Sequence, residues 1–128
     1  EVLNHADLMD LLILASRLTM TSLIEVHQAD SLLRVRSLVG FPQKHYSVMG
    51  INNRDLTTMK VDINNTCRLI ELVDNSRRVI AESGISSRRD VEKLIRIGVG
   101  GVLVGQTLCQ SVSIEEKFNE LFTAGGCK

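Results

Sequence analysis

Polar residues follow three apolar stretches of this chain, at the points where β-strands are predicted to end. The first cluster, Gly50 to Leu56, places two amides, a guanidinium and a carboxylate directly after an apolar run. The second cluster is Ala81 to Ile85 and the third is Leu103 to Gln106. Such side chains can bind an anionic ligand and orient a reacting group. Polar strand ends that are each followed by a helical pattern indicate the active-site face of a parallel α/β barrel or sheet.

The elements that must position these clusters repeat along the chain. Apolar residues at helical spacing predict a leading helix over 4–19. Strands are predicted at 23–27, 48–52, 79–82 and 101–105, with helices at 30–39, 64–73, 87–98 and from 113 to the glycines at 125 and 126. Ser87 and Asp90 have the spacing of a capping box. Runs such as Val102 to Val104 suggest strands that are buried on both faces.

This pattern predicts an α/β fold of four parallel strands with alternating helices and one leading helix. The connections are expected to be right-handed crossovers. A complete eight-stranded barrel needs about 250 residues, whereas this chain has 128. We therefore expect residues 1–128 to form a single partial domain, half of a TIM (β/α)8 barrel.

Composition narrows the class of partner. The chain has 15 basic and 15 acidic side chains and only 3% aromatic residues, which argues against nucleic-acid binding. No apolar run is long enough to cross a membrane. The three cysteines, Cys67, Cys109 and Cys127, lack metal-ligand spacing and suggest reduced thiols in the cytoplasm. The histidines have no convergent acidic or cysteine partners, so we expect no metal site.

Four segments together resemble one enzyme family. Leu23–His27, Gly50–Leu56, Ala81–Ile85 and Val102–Gly105 resemble indole-3-glycerol phosphate synthase in sequence, order and spacing, and the similarity extends from about Leu8 to Phe122. The resemblance implies strands five to eight of a (β/α)8 barrel of tryptophan biosynthesis. It also implies closure of an indole ring on 1-(2-carboxyphenylamino)-1-deoxyribulose 5-phosphate, with decarboxylation and dehydration and without a cofactor. A cytoplasmic location follows from the pathway, or a plastid one if the source is a plant or alga.

The resemblance assigns catalytic roles to Glu25 and Asn52. Glu25 matches the strand-five glutamate of the family, and a carboxyl group walled by Leu23 and neighbouring strands should be desolvated and suited to acid/base work. A structural carboxylate paired with a basic neighbour is the alternative. Arg54 is implied to bind anionic groups or support the site, although a salt bridge to Asp55 or Asp62 is equally compatible with the pattern.

The remaining site residues lie after the last two strands. By resemblance Glu82, Ser83 and Leu103 contact the substrate; a buried ion pair for Glu82 and core packing for Leu103 are the alternatives. Loops after strands seven and eight form the phosphate site of many barrels. We therefore expect the amides of Gly84, Gly105 and Gln106 to bind phosphate, with ordinary tight turns as the alternative for the glycines.

The family's general-acid lysine lies on strand three, and that lysine has no matching position here. We therefore expect the chain alone to be inactive and to require a second copy or an amino-terminal half-barrel partner. Another sugar-phosphate-binding barrel enzyme and a non-catalytic half-barrel remain the alternative functions.

Overall fold

The computed structural model describes residues 3–42 and 47–123 of the chain. Within them the elements alternate in the predicted way. They are α1 (His5–Arg17), β1 (Ser22–Val26), α2 (Ala29–Val35), β2 (Ser47–Asn52), α3 (Asn64–Leu69), β3 (Val79–Glu82), α4 (Arg88–Arg96), β4 (Gly101–Leu103), α5 (Gln106–Cys109) and α6 (Ile114–Phe122). The predicted helix end at Gly125 and Gly126 and the third cysteine, Cys127, lie outside the described residues.

The four strands form one sheet in the order β1-β2-β3-β4, and every neighbouring pair is parallel. Parallel neighbours need a crossover connection, and a helix lies between each pair of consecutive strands. The predicted α/β half-barrel is therefore confirmed. Because all four strands run the same way, their carboxyl ends lie along one edge of the sheet, where the polar clusters begin.

Helices cover only one face of the sheet. Val26, Ile51 and Ala81 are in register on adjacent strands and are each at most 2% exposed against the helices. The opposite face carries the alternate residues, among them Leu23, which is 39% exposed, and Leu103, which is 48% exposed. The expectation of strands buried on both faces is therefore wrong for the outer strands β1 and β4, because this four-stranded sheet does not close on itself, whereas most residues of the inner strands β2 and β3 are buried.

Helix starts follow the predicted capping residues. The Ser87 side chain accepts a hydrogen bond from the Asp90 amide, and the Asp90 carboxylate accepts one from the Ser87 amide at 2.9 Å. Ser113 caps α6 with a single bond of this kind, which its side chain accepts from the Glu116 amide. These local hydrogen bonds satisfy amides that lack an intrahelical partner, which explains why both starts could be read from the sequence.

Other boundaries differ from the prediction. The predicted helices at 30–39 and 64–73 end as α-helices at Val35 and Leu69 and continue as single 3-10 turns, Arg36–Leu38 and Ile70–Leu72. The predicted strand 101–105 ends at Leu103, because the chain leaves the sheet and starts α5 with Gly105 as its N-cap. The short helix α5 was not predicted.

Candidate functional site

Four of the predicted site residues lie together on the open face of the sheet. Asn52 is in register with Glu82, and Glu82 is in register with Leu103. The Asn52 side-chain amide donates a hydrogen bond of 2.7 Å to Oε1 of Glu25 on β1. The carboxyl ends of β1 to β4 thus bring two carboxyl groups, an amide and an apolar side chain onto one surface.

Glu82 is the buried carboxyl group of this surface. Its residue is only 6% exposed, and its side chain lies over Gly50, where an added Cβ would collide with Oε1 of Glu82. This Oε1 accepts no hydrogen bond from the described residues. Burial, and then the nearby charge of Glu25, raise the pKa of Glu82 from 4.5 to about 7. Glycine at position 50 therefore makes the room in which a carboxyl group is desolvated.

Glu25 does not have the environment that the sequence predicted. It is exposed rather than desolvated, because β1 is an outer strand of the described sheet and Leu23 beside it is itself exposed. The desolvated carboxyl group is instead that of Glu82, on the inner strand β3. The alternative that Glu82 belongs to a buried ion pair is also wrong, since no described side chain pairs with it.

Asn52 is held in one orientation by its neighbours. Its Oδ1 accepts from the Arg54 amide at 2.8 Å, which leaves its Nδ2 to donate to Glu25. Its backbone carbonyl accepts from Asn65 Nδ2 at 3.1 Å and contacts His27 Nδ1 at 2.8 Å. Because a carbonyl can only accept, Nδ1 of His27 carries the hydrogen. His27 is half-buried in this network.

A cavity of about 460 Å³ lies beyond the ends of β3 and β4. Its lining includes the predicted substrate and phosphate residues Arg54, Ser83, Gly84, Leu103, Gly105 and Gln106. The backbone amides of Gly84, Gly105 and Gln106 donate to no described group. An added Cβ at Gly105 would meet no atom within 4 Å, and the φ of −111° suits any residue. Neither backbone nor packing requires glycine at 105, so its absent side chain leaves room in the cavity.

Comparison with known proteins decides the family. The model of the indole-3-glycerol phosphate synthase family matches residues 1–121. The chain belongs to this family. Relatives described as indole-3-glycerol phosphate synthase include those of Prochlorococcus marinus strain MIT 9301, which is 38% identical over 96% of this chain, and Acetivibrio thermocellus, which is 38% identical over 94%.

The chain spans less than half the length of these synthases. It covers 42% of the Prochlorococcus protein, 44% of the Acetivibrio protein and 45% of the protein from Desulforamulus reducens, which is 35% identical. Among solved structures, a chain of the Amycolatopsis orientalis BexX/CysO complex is similar with a TM-score of 0.50 and 17% identity, over 85% of this chain and 55% of that chain. This second likeness concerns the fold alone.

Arg54 of this synthase-family chain lies on the cavity wall and forms no salt bridge with any residue that the structure describes. Its Nη2 donates to Oε1 of Gln106 at 2.8 Å and its Nη1 to the Met59 carbonyl at 3.4 Å. The alternative of an ion pair with Asp55 or Asp62 is therefore wrong. Asp62 pairs with Arg68 at 2.9 Å, and Asp55 accepts from the Thr57 and Thr58 amides, as expected of a turn cap. The remaining N–H groups of the guanidinium can face a ligand.

Sequence reasoning missed the importance of Asn53. Its residue is 0% exposed, and its side chain connects the turn after β3 with α3. The only signal in the sequence was a second amide residue directly after a strand end. Among the described residues, Cys67 is half-buried and Cys109 is exposed, and neither forms a disulfide there.

The described residues offer no metal centre: no three His, Cys, Asp or Glu side chains within them are placed to hold a metal ion. No helix in the same residues is long and apolar enough to cross a membrane.

Proposed function

We propose that this chain supplies the carboxyl-terminal part of an indole-3-glycerol phosphate synthase active site. The reaction is that of a carboxy-lyase, in which 1-(2-carboxyphenylamino)-1-deoxyribulose 5-phosphate closes to indole-3-glycerol phosphate and loses carbon dioxide and water. The observation that supports this role best is that Glu82, whose buried Oε1 accepts no hydrogen bond from the described residues, lies on the same surface as Glu25 and close enough to feel its charge. A cytoplasmic or plastid location stays a prediction.

The phosphate group of the substrate is assigned to the cavity beyond β3 and β4. Three free amides, those of Gly84, Gly105 and Gln106, line it together with the Arg54 guanidinium. Backbone N–H groups and a guanidinium are favourable partners for a phosphate, because both donate hydrogen bonds toward negative charge. The open space at Gly105 admits the phosphate oxygens close to the backbone.

The acid/base work is assigned to the two glutamates. Ring closure needs a proton for the departing carbonyl oxygen, and later a base for the proton released from the new ring. With a pKa of about 7, Glu82 can both give and take a proton near neutral pH. Glu25, oriented by Asn52, supplies the negative charge beside it. Leu103 and Ser83 border the same region, so that Leu103 offers apolar surface to the aromatic ring.

The chain alone is expected to turn over far below the rate of a complete synthase. The strand that carries the family's general-acid lysine is not matched here, and loss of one positioned proton donor costs about 10²- to 10⁴-fold. Mixing the chain with the amino-terminal half of a related synthase should raise turnover of the ribulose phosphate substrate. If the mixture is no faster than the separate halves, this part of the proposal fails.

Ligand binding tests the assignment directly. Backbone amide shifts of the chain would be followed during titration with inorganic phosphate and, separately, with indole-3-glycerol phosphate. We expect both ligands to shift Gly84 and Gly105, and the indole compound to shift Asn52, Glu82 and Leu103 as well. Shifts that are confined to the glycines with both ligands would favour a different sugar-phosphate enzyme. No response to either ligand would favour a non-catalytic half-barrel.

A further inference from the structure

Asn53 is a buried polar residue whose hydrogen bonds all run to other segments. Its Oδ1 accepts from the Thr66 amide at 3.0 Å and from the Thr66 hydroxyl at 2.8 Å, so its Nδ2 faces the opposite way. That Nδ2 donates to the Ser83 carbonyl at 3.0 Å. Because the Thr66 amide can only donate, the orientation of the Asn53 side chain is unambiguous.

The backbone of Asn53 adds two more connections. Its amide donates to the Glu82 carbonyl at 2.8 Å, and its carbonyl accepts from the Asp62 amide at 2.9 Å. One residue therefore joins the end of β3, the start of α3 and the loop that returns from Arg54. Asn53 itself does not line the 460 Å³ cavity, so a direct contact with a ligand there is not its role.

The segment that Asn53 holds is unusual in its backbone. Ser83 has φ of 64° and Gly84 has φ of 74°, so two consecutive residues lie in the left-handed region. This conformation is unfavourable for serine and persists when surrounding contacts impose it. Val61 packs against the Gly84 backbone so closely that an added Cβ would collide with it. Both Ser83 and Gly84 line the cavity.

We infer that Asn53 is a positioning residue, which holds the Ser83–Gly84 turn in the left-handed conformation required to bind a phosphate group. The inference rests on the proposed phosphate site and adds to it the residue that shapes it. The donor Nδ2 is the essential atom, because the Ser83 carbonyl that it contacts lies inside the turn. The contacts from Thr66 fix the opposite side of the Asn53 side chain, and we expect them to contribute to thermal stability.

The test compares variants that remove hydrogen bonds on opposite sides of the Asn53 side chain. Asn53→Asp keeps an acceptor for both contacts to Thr66 but loses the donor to Ser83. Asn53→Ala removes the side-chain bonds on both sides without adding a charge, in case the aspartate variant does not fold. Thr66→Val is the matched control, since it removes the hydroxyl bond to Asn53 and leaves the bond to Ser83. Inorganic phosphate is titrated into each protein, amide signals are followed, and thermal stability is measured.

We expect the Asn53 variants to bind phosphate at least tenfold more weakly and to shift the free-state Ser83 and Gly84 amides. Thr66→Val should lose thermal stability yet bind phosphate within twofold of the parent. Phosphate binding within twofold in the Asn53 variants, or equal weakening in Thr66→Val, overturns the inference and leaves the proposed function intact. If the parent binds no phosphate, the phosphate assignment fails; the free-state shifts then uphold the role of Asn53 in shaping the turn or, if absent, overturn it.

Discussion

At the scale of the residue, Glu82 links burial to protonation. A folded-state pKa of about 7 against an ordinary value of 4.5 means that the folded chain binds this proton more tightly than the unfolded chain. The free energy of unfolding should therefore fall as the pH rises from about 4.5 to about 7, and the cost of the ionised group is complete above that range.

Glu82→Gln should remove this fall, because the amide does not ionise. The free energy of unfolding of the variant, relative to that of the parent, should rise by on the order of 2 kcal/mol between pH 5 and pH 8. Urea unfolding at a series of pH values measures this difference. Glu25→Gln is the control: it removes the neighbouring charge that contributes to the raised pKa of Glu82, so the fall should persist with its midpoint at lower pH. A Glu82→Gln variant with the parent's pH dependence would show that another group titrates.

A substitution at Gly105 can separate the effect on phosphate binding from the effect on stability. Gly105→Ala should leave stability within about 0.5 kcal/mol of the parent, because no atom lies within 4 Å of the new Cβ. It should weaken phosphate binding by about tenfold, roughly 1.4 kcal/mol, because the methyl group enters the cavity. Titration with inorganic phosphate and thermal unfolding measure the two effects.

Gly98→Ala is the matched control for Gly105→Ala. Gly98 has φ of 77°, so alanine should destabilise the chain by about 1 kcal/mol or more. It lies at the end of α4, away from the cavity lining, and phosphate affinity should not change. Equal phosphate affinity in Gly105→Ala and the parent would contradict the assignment of the cavity.

At the scale of the element, helix α4 follows directly on the turn that lines the cavity. Its start depends on the reciprocal bonds of Ser87 and Asp90. Ser87→Ala should lower the free energy of unfolding by about 1 kcal/mol, as loss of an N-cap side chain typically does. Urea unfolding measures the effect.

Ser86→Ala is the matched control for the cap. It removes only a 3.2 Å hydroxyl contact to Asp90 and leaves the Ser86 amide bonded to the same carboxylate. A loss below about 0.5 kcal/mol is expected. If the two alanine variants are equally destabilised, the cap geometry does not account for the start of α4.

At the scale of the whole molecule, the half-barrel exposes apolar surface at both sides of its sheet. Helix α1 packs on β1 through Leu12 and Ile24. On its exposed side α1 carries Leu11 and Leu14, with Leu18 directly after the helix, and at the other end of the chain α6 carries Ile114 and Phe118; each of these five residues is about half exposed or more. Edge strands and apolar stripes of this kind favour association. A second copy, or an amino-terminal half-barrel, could pair with both edges and close eight strands.

Sedimentation should therefore show the chain larger than a monomer at micromolar concentration. Leu14→Lys with Leu18→Glu should shift it toward the monomer by placing charges in the contact. Ile95→Lys is the control, since Ile95 is 63% exposed on α4 rather than at a sheet edge, and it should leave association unchanged. A clean monomer for the parent chain would reject self-association.

Local patterns predicted much of this molecule because their causes are local. The helix caps at Ser87 and Ser113 depend on residues three positions apart, and the strands follow from short apolar runs between turns. The strand ends at Asn52 and Glu82, and the residues that follow β4, could be placed at one edge because parallel strands end together. In contrast, Arg54 meets Gln106, 52 residues away, and the sequence offered Asp55 and Asp62 as nearer partners.

The amino-acid sequence by itself determined the alternation of strands and helices, the parallel sheet and the set of residues at its carboxyl edge, since period and spacing encode these. Only the tertiary structure decided which carboxyl group loses its water. Glu25 and Glu82 both lie near a strand's carboxyl end, but β1 is an outer strand of the sheet, whereas β3 is an inner strand and the Glu82 side chain lies over Gly50. Desolvation depends on neighbours from other strands, which spacing along one chain does not specify.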